Sequence, residues 1–217
     1  MKKLAFAVAC VAIVGAFVYA ASQFRERRAT QLDFMAREQA ATFVRPHSPT
    51  LGAAEARVVI VEFTDPACET CAAFAPLLEE ALARHPSKVR LVVRYAPFHA
   101  GSDVAVRALE AARLQGRFWE TLHLLYANQG AWTHHHQVLP ERIFGLLPYA
   151  GLDLERLERE MNDPRAGAIV AQDLADARTL GVSKTPGIFV NGRPLEPFGV
   201  ETFRALVEAE VRATYPD

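Results

Sequence analysis

The stretch VVIVEFTDPACETC, residues 58–71, constrains the fold of this chain more than any other part of the sequence. Its first half is a short β-branched apolar run, which is typical of a strand buried on both faces. Its second half places Cys68 three residues before Cys71, where a helical pattern begins that runs to about Arg84 and is interrupted by Pro76. The pattern predicts a strand that leads directly into a helix with two cysteines at its start.

The rest of the chain alternates between strand and helix character. Residues 89–98 have a second strand pattern, so strand, helix and strand form a βαβ unit. Helical spacing then dominates residues 102–181, and strand character returns at 188–190, where the following Asn-Gly at 191–192 is a strong hairpin signal. A last helix is expected at about 200–213. The sequence therefore predicts an α/β fold with a helical insertion.

Residues 1–21 are expected to be a signal peptide or a membrane anchor. Two lysines precede an uncharged stretch from Leu4 to Ala21, and residues 18–20 have small side chains at the positions that a signal peptidase reads. The stretch also approaches the length that spans a bilayer, and the RERR cluster at 25–28 opposes translocation, so cleavage and anchoring both stay open. Either one delivers the chain to the periplasm or another extracytoplasmic, oxidising space.

Residues 22–46 are polar and helix-prone, and we interpret them as a linker to a domain over 47–217. Apolar residues at helical spacing within the linker also allow a juxtamembrane helix or one that forms a homodimer. With 51 % hydrophobic residues the chain can bury one sizeable core, and a formal net charge of -1 gives no basic field for nucleic acid. We therefore expect one domain and no nucleic-acid partner.

Cys68 and Cys71 carry the chemistry that the sequence predicts. A cysteine at the start of a helix faces unpaired backbone N–H groups and the positive end of the helix dipole, which stabilise its thiolate. We therefore expect a lowered pKa at Cys68, whereas Cys71, one turn further on, is the shielded resolving thiol. Three-residue spacing also lets the two sulfurs approach bonding distance, as a Cys68–Cys71 disulfide requires.

A metal site and an inert bridge are the alternatives for the cysteine pair. Zinc usually takes four ligands and the chain has no second CxxC, so a copper or zinc site would need the histidines His134, His135 and His136. A histidine triplet in a loop is more often a solvated turn, and a bridge over so short a loop stabilises little. We therefore favour a redox pair and expect no metal and no cofactor.

In combination, these motifs resemble the thioredoxin superfamily. The shared features are the strand before a CxxC helix start, Pro76 after the second cysteine, and Thr185-Pro186 before a later strand. Because helical segments are inserted ahead of that strand, the chain is similar to the exported DsbA-like branch over about residues 47–215. The resemblance implies a thioredoxin fold with an inserted helical subdomain at about 102–181.

The resemblance also implies roles for Glu62, Thr185 and Pro186. Glu62 lies where the family carries a buried acid; a carboxyl inside an apolar strand is hard to solvate, so its pKa should rise and it is a candidate proton acceptor for Cys71. A salt bridge at the strand end is the alternative. Pro186 matches the family's cis-proline, beside which the backbone of Thr185 aligns an extended substrate. An ordinary trans turn is the alternative there.

Glu69 and Thr70, between the cysteines, differ from the proline and histidine of strongly oxidising family members. The charge of Glu69 opposes a thiolate at Cys68, so we expect a milder oxidant. His99 ends the second strand, and a lone histidine there is more often a packing or capping residue.

The sequence thus predicts an exported thiol–disulfide oxidoreductase that exchanges its CxxC disulfide with cysteines of exported client proteins, as a mild oxidant. Resemblance to DsbA-like proteins implies a membrane redox partner that acts on the CxxC. The alternatives are a disulfide reductase or isomerase on the same scaffold, a copper- or zinc-binding protein, and a noncatalytic chaperone-like module.

Overall fold

The chain divides into two compact units, residues 1–42 and 43–217. The residues that the computed structural model describes are 42–134, 137–216, Gly15, Tyr19 and Gln23. The expected leader and most of the expected linker therefore lie outside the described residues. Among the residues that are described, no helix is long and apolar enough to cross a membrane. The second unit holds the sheet and the cysteine pair.

A five-stranded mixed sheet forms the centre of the second unit, as far as the structure describes it. The strands are, in chain order, β1 (Thr50–Gly52), β2 (Val58–Thr64), β3 (Val89–Tyr95), β4 (Thr133–His134), β5 (Gln137–Val138), β6 (Gly187–Val190) and β7 (Arg193–Pro194). The order across the sheet is β1-β3-β2-β6-β7. Strands β2 and β3 are parallel and the other neighbours are antiparallel. Strands β4 and β5 pair separately as a small hairpin.

The helices surround this sheet. They are, in chain order, α1 (Glu69–Arg84), α2 (Ser102–Leu114), α3 (Phe118–Ala127), α4 (Gln129–Trp132), α5 (Pro140–Leu146), a 3₁₀ turn (Leu147–Ala150), α6 (Leu154–Met161), α7 (Pro164–Thr179) and α8 (Val200–Thr214). Helices α2 to α7 lie between β3 and β6 in the chain. This order confirms the predicted α/β fold with a helical insertion.

The structure differs from the sequence prediction in three places. Residues 50–52 form an edge strand, which was not expected because three residues give no hydrophobic pattern. Strand β3 ends at Tyr95 and not at residue 98, since Pro97 has no backbone N–H to pair. The insertion also contains the β4–β5 hairpin where only helices and loops were expected.

Strand β2 packs on both faces because its side chains alternate between two hydrophobic clusters. Ile60 belongs to the cluster that includes Phe74 of α1 and Phe203 of α8. Val61 belongs to the second cluster, on the other face of the sheet. Since strand side chains alternate with a period of two, Glu62 lies on the same face as Ile60, towards α1.

A buried ionic cluster stabilises the opposite face. Arg94 is 0 % exposed, and its guanidinium donates to Asp173 at 2.7 and 3.0 Å and to Asp176 at 2.6 Å. Arg45 donates to Asp176, and His47 contacts Asp173 at 2.7 Å. Arg45 and His47, in the segment that leads into the sheet, are thereby connected to α7 and, through its two aspartates, to β3.

The predicted Asn-Gly turn joins β6 to β7. Asn191 and Gly192 have φ angles of 48° and 79°, the left-handed conformation that a type I′ turn requires at both positions. Gly187, the first residue of β6, pairs with Phe63 near the end of β2. The Thr-Pro dipeptide before β6 therefore lies beside the C-terminal end of β2, where the chain turns towards the cysteines.

Candidate active site

Cys68 caps the N-terminus of α1. Its backbone is extended, with φ -80° and ψ 115°, and its Sγ accepts the backbone N–H of Cys71 at 3.4 Å. The sulfur thus takes the position that a serine or aspartate oxygen usually fills at a helix start. Unpaired N–H groups and the helix dipole favour a negative charge at this position. The structure has the strand-to-helix geometry that the sequence predicted for the cysteine pair.

The two cysteines differ in exposure and in pKa. Cys68 is 6 % exposed and Cys71 is 0 % exposed, and both are free thiols. Hydrogen bonds from the Cys71 thiol and from the Thr185 side chain lower the pKa of Cys68 to about 6, although burial opposes this shift. Burial raises the pKa of Cys71 far above its usual value. At neutral pH Cys68 is therefore largely a thiolate, while Cys71 keeps its proton.

Thr185 and Pro186 lie beside Cys68. The distance from Cys68 Sγ to the backbone oxygen of Thr185 is 3.4 Å, and the Thr185–Pro186 peptide bond is cis. Pro186 is buried, whereas Thr185 is partly exposed next to the sulfur. The structure thus brings Thr185 to Cys68, with Pro186 next to it in the chain. Their role in aligning a substrate stays a prediction.

The Glu62 carboxyl is buried near the cysteines and lacks part of its hydrogen-bond partners. The residue is 2 % exposed, and its Oε1 has no hydrogen-bond partner among the described residues. Burial raises the pKa of Glu62 to about 8; a hydrogen bond from the Thr64 side chain opposes the rise, and the charge of Cys68 adds to it. The charge of Glu62 in turn raises the pKa of Cys71. In the described part of the chain no ion pair with Glu62 supports the salt-bridge alternative.

Asp65, which sequence reasoning missed, stabilises the turn before Cys68. Its carboxylate is fully buried and accepts the backbone N–H groups of Ala67 and His99, the Nδ1 of His99 at 2.7 Å, and the Ser102 hydroxyl. Its backbone oxygen accepts the N–H of Cys68 at 2.9 Å. His99 is therefore tied to the cysteine turn through Asp65. The Asp-Pro dipeptide, a turn signal, is the feature that could have indicated Asp65.

Two side chains of the helical insertion also reach this region. Gln129 Nε2 donates to the backbone oxygens of Pro66 at 2.8 Å and Cys68 at 3.1 Å. The Tyr126 hydroxyl lies 2.7 Å from Thr64 Oγ1. The sequence has no signal for these contacts, since they depend on how α3 and α4 dock against the sheet.

The residues proposed for a metal site are not brought together in the described part of the chain. His134 is exposed on β4, and His135 and His136 lie outside the described residues. No group of three or more His, Cys, Asp and Glu side chains that could hold a metal ion occurs among the described residues. Glu69 and Thr70 are exposed in the first turn of α1.

Comparison with known proteins identifies the family. A family described as Thioredoxin matches residues 45–209. The chain belongs to the thioredoxin family.

The curated relatives that match the chain are longer proteins. The Na(+)/H(+) antiporter NhaA of Herminiimonas arsenicoxydans is 34% identical over 164 residues, which cover 75% of this chain and 25% of the antiporter. The chain thus spans about a quarter of the length of the curated relatives it matches.

Two solved structures resemble the chain over most of their length. A thioredoxin-like oxidoreductase from Silicibacter pomeroyi DSS-3 has 30% identity and a TM-score of 0.69, covering 80% of this chain and 96% of that protein. The oxidoreductase DsbA from Xylella fastidiosa has 24% identity and a TM-score of 0.64, covering 78% of this chain and 90% of that protein. The predicted thioredoxin fold of DsbA-like type is confirmed.

Proposed function

We propose that the chain is a protein thiol–disulfide oxidoreductase that oxidises cysteines of exported client proteins as a mild oxidant. The observation that carries the proposal is the asymmetry of the cysteine pair. Cys68 caps a helix and has a pKa lowered to about 6 by hydrogen bonds from Cys71 and from the Thr185 side chain. Cys71 is fully buried and keeps its proton. One attackable sulfur and one shielded sulfur are what directional thiol exchange requires.

In the oxidising direction the reaction begins with a Cys68–Cys71 disulfide. A client thiolate attacks Cys68 Sγ, so that a client–Cys68 bond forms and the Cys68–Cys71 bond breaks. Cys71 leaves as a thiolate and takes up a proton, for which protonated Glu62 is the candidate donor. A second client thiolate then attacks the client sulfur of the mixed disulfide. The oxidised client leaves, two electrons stay on the cysteine pair, and Cys68 is released as a thiolate.

The strength of the oxidant follows from how well the leaving Cys68 thiolate is stabilised. A pKa of about 6 at Cys68 lies between the values of about 3.5 in DsbA and about 7 in thioredoxin. This intermediate value supports a mild oxidant. It also lies closer to the thioredoxin value, which favours a reductase or isomerase on the same scaffold as the second candidate.

The proposal also includes how the client binds, where the protein acts and what restores its disulfide. Thr185, partly exposed beside Cys68, is suited to pair its backbone with an extended client segment. The lysines and the apolar stretch within residues 1–21 support export to the periplasm or another extracytoplasmic space. A membrane redox partner would then restore the disulfide.

Insulin reduction and dithiol oxidation, run side by side, test the proposal. We expect both activities, with oxidation dominant and a reduction potential between about -270 and -120 mV, the values of thioredoxin and DsbA. A potential near the thioredoxin value would favour the reductase. Cys68→Ser should abolish both activities, and Cys71→Ser should accumulate mixed disulfides. Retention of activity in Cys68→Ser, or equally slow alkylation of both thiols at mildly acidic pH, would overturn the proposal.

A further inference from the structure

A groove in the helical insertion lies between α6 and the end of α5. Leu154, Leu157 and Met161 recur at helical spacing along α6 and contribute one part of its lining. Phe144 of α5 and Leu147 of the 3₁₀ turn contribute another part. The volume of the groove is about 410 Å³, within the range of about 300 to 1,000 Å³ that is typical of ligand sites. The groove is therefore large enough to take apolar side chains of another molecule.

The apolar lining is only partly shielded from water. Leu147, Leu157 and Met161 are buried, whereas Phe144 and Leu154 are 49% and 46% exposed. Half-exposed apolar side chains lose their contact with water when an apolar partner covers them, and this favours binding. The groove thus has a buried apolar floor and one exposed apolar side chain from each of the two helices.

The remaining lining residues, Glu158 and Asn162, make one end of the groove polar and negative. In the part of the chain that the structure describes, the Glu158 carboxylate forms no hydrogen bond or ion pair. Asn162 Nδ2 donates to the backbone oxygen of Glu158 at 2.9 Å, which leaves Asn162 Oδ1 as an acceptor. Both residues lie at the C-terminal end of α6, where the helix dipole also favours cations. The polar end therefore favours a positively charged group.

Basic side chains near Glu158 do not neutralise it. Arg156 pairs with Glu160 at 2.7 Å. Arg159 follows Glu158 directly and so projects about 100° further round the helix. Arg107, on α2, donates to a backbone oxygen of α6. A cation that belongs to another molecule can therefore pair with Glu158.

We propose that this groove is a docking site for unfolded client chains, which insert large apolar side chains beside Phe144 and Leu154 and place a neighbouring lysine or arginine at Glu158. The identity of the occupant rests on the proposed function. A client whose disulfide has not yet formed is incompletely folded, so it exposes apolar side chains together with its charged ones. No lining residue belongs to the CxxC or to the Thr-Pro dipeptide at 185–186. Docking therefore raises the affinity for clients without taking part in the thiol chemistry.

Fluorescence polarisation of a labelled, unstructured peptide tests the docking. The protein is the full chain with Cys68→Ser and Cys71→Ser, so that no disulfide exchange contributes. The peptide carries leucine and phenylalanine next to two lysines, and comparison peptides replace either the apolar pair by serines or the lysines by glutamates. We expect each replacement to raise the dissociation constant about tenfold.

Substitutions in the groove locate the binding site. Phe144→Ser and Leu154→Ser should each weaken binding of the lysine peptide about tenfold. Glu158→Lys should weaken it about fivefold and strengthen binding of the glutamate peptide. Glu55→Lys makes the same charge change at an exposed residue outside the insertion, and it should leave both dissociation constants as in the parent. Circular dichroism checks that each variant is folded.

Three results would overturn the inference. The first is equal affinity for the lysine and glutamate peptides. The second is binding that survives both Phe144→Ser and Leu154→Ser. The third is a dimer of the parent chain that Phe144→Ser dissociates in sedimentation, because a second copy would then be the occupant.

A second experiment links docking to thiol exchange in the chain with both cysteines. The lysine peptide and the glutamate peptide are each joined to a cysteine pair by a Gly/Ser linker of about 20 residues, which spans about 25 Å on average. We expect a lower KM for the lysine version, and Phe144→Ser should remove most of the difference. If the lysine peptide docks as expected but the parent oxidises neither version, the proposed function fails and the docking site stands. If both are oxidised and no peptide binds in the groove, the inference fails alone.

Discussion

Glu62 and Asp65 lie three residues apart and are both buried, at 2 % and 0 % exposure, but their surroundings are opposite. The Asp65 carboxylate accepts from Ala67, Ser102 and both the backbone and the ring of His99. Glu62 has one oxygen without any partner in the described part of the chain. Asp65 therefore accepts several hydrogen bonds, whereas Glu62 accepts few.

Asp65 is thus placed to fix the turn around it, whereas Glu62 is placed to keep a proton. An acid whose oxygens accept several hydrogen bonds fixes the position of the groups that donate to it. A buried acid with few donors pays the desolvation cost and keeps its proton to higher pH. Asp173, which accepts from Arg94 and from the Tyr95 N–H, resembles Asp65 in this respect.

Asp65→Ala is expected to have the largest effect on stability. The substitution leaves donors of Ala67, His99 and Ser102 buried without their acceptor, so the free energy of unfolding should fall by about 3 to 5 kcal/mol. Urea unfolding at neutral pH measures it. Asp65→Asn keeps one carbonyl acceptor and should lose less.

Asp153→Ala is the control for Asp65→Ala. Asp153 is exposed and accepts one backbone N–H, from Arg156 at the start of α6. Loss of such a cap should cost about 1 kcal/mol. If Asp65→Ala costs no more than this, the two acids near Cys68 do not differ in the way described.

Glu62→Gln is expected to raise the free energy of unfolding at high pH, whereas Asp65→Ala lowers it. The pKa of Glu62 is raised from 4.5 to about 8 by burial, so the folded state holds a proton that the unfolded chain has lost between these values. Its contribution to stability is complete below pH 4.5 and is lost as the pH rises through 8, with a slope of about 1.4 kcal/mol per pH unit. Glu62→Gln should remove this slope and make the protein more stable at pH 8 by up to about 4 kcal/mol.

The Glu62→Gln variant and its parent should both carry Cys68→Ser and Cys71→Ser. The lowered pKa of Cys68 would otherwise make the stability of the reduced protein rise with pH above 6, against the effect of Glu62. Glu110→Gln is the matched control: Glu110 is also 2 % exposed, but it is paired with Arg113 and accepts from the Tyr95 hydroxyl. Glu110→Gln should therefore destabilise the protein. A Glu62→Gln variant that is less stable than its parent at pH 8 would contradict the comparison.

The sequence predicted the parts of the site that depend on local pattern. A β-branched run predicted β2, the CxxC behind it marked the start of the following helix, and Glu62 was placed in the buried strand. The Asn-Gly turn at 191–192 was predicted for the same reason, since its two residues alone favour left-handed backbone.

The parts that were missed depend on tertiary docking. Asp65 meets Ser102 across 37 residues, and Gln129 meets Pro66 across 63. Neither contact leaves a periodic signal in one sequence. Strand β1 was missed because its three residues are too short for a hydrophobic pattern.

Gln129→Leu is expected to have the smallest effect on stability, because one of the two backbone oxygens that lose the Gln129 side chain keeps another donor. The backbone oxygen of Cys68 still accepts the N–H of Ala72 at 3.2 Å, so only the oxygen of Pro66 loses its side-chain donor outright. The free energy of unfolding should fall by about 1 to 2 kcal/mol, against less than about 0.5 for the control Gln137→Leu, whose side chain is exposed.

The thiol titration of Gln129→Leu distinguishes anchoring from tuning. Gln129 donates to the backbone of the turn and not to the sulfur, whose donors include the Cys71 N–H. The pH midpoint for alkylation of Cys68 should therefore stay at about 6 while stability falls. A midpoint that moved in step with stability would mean that the groups holding the turn also set the thiolate, and the division drawn between Asp65 and Glu62 would not extend to the cysteine.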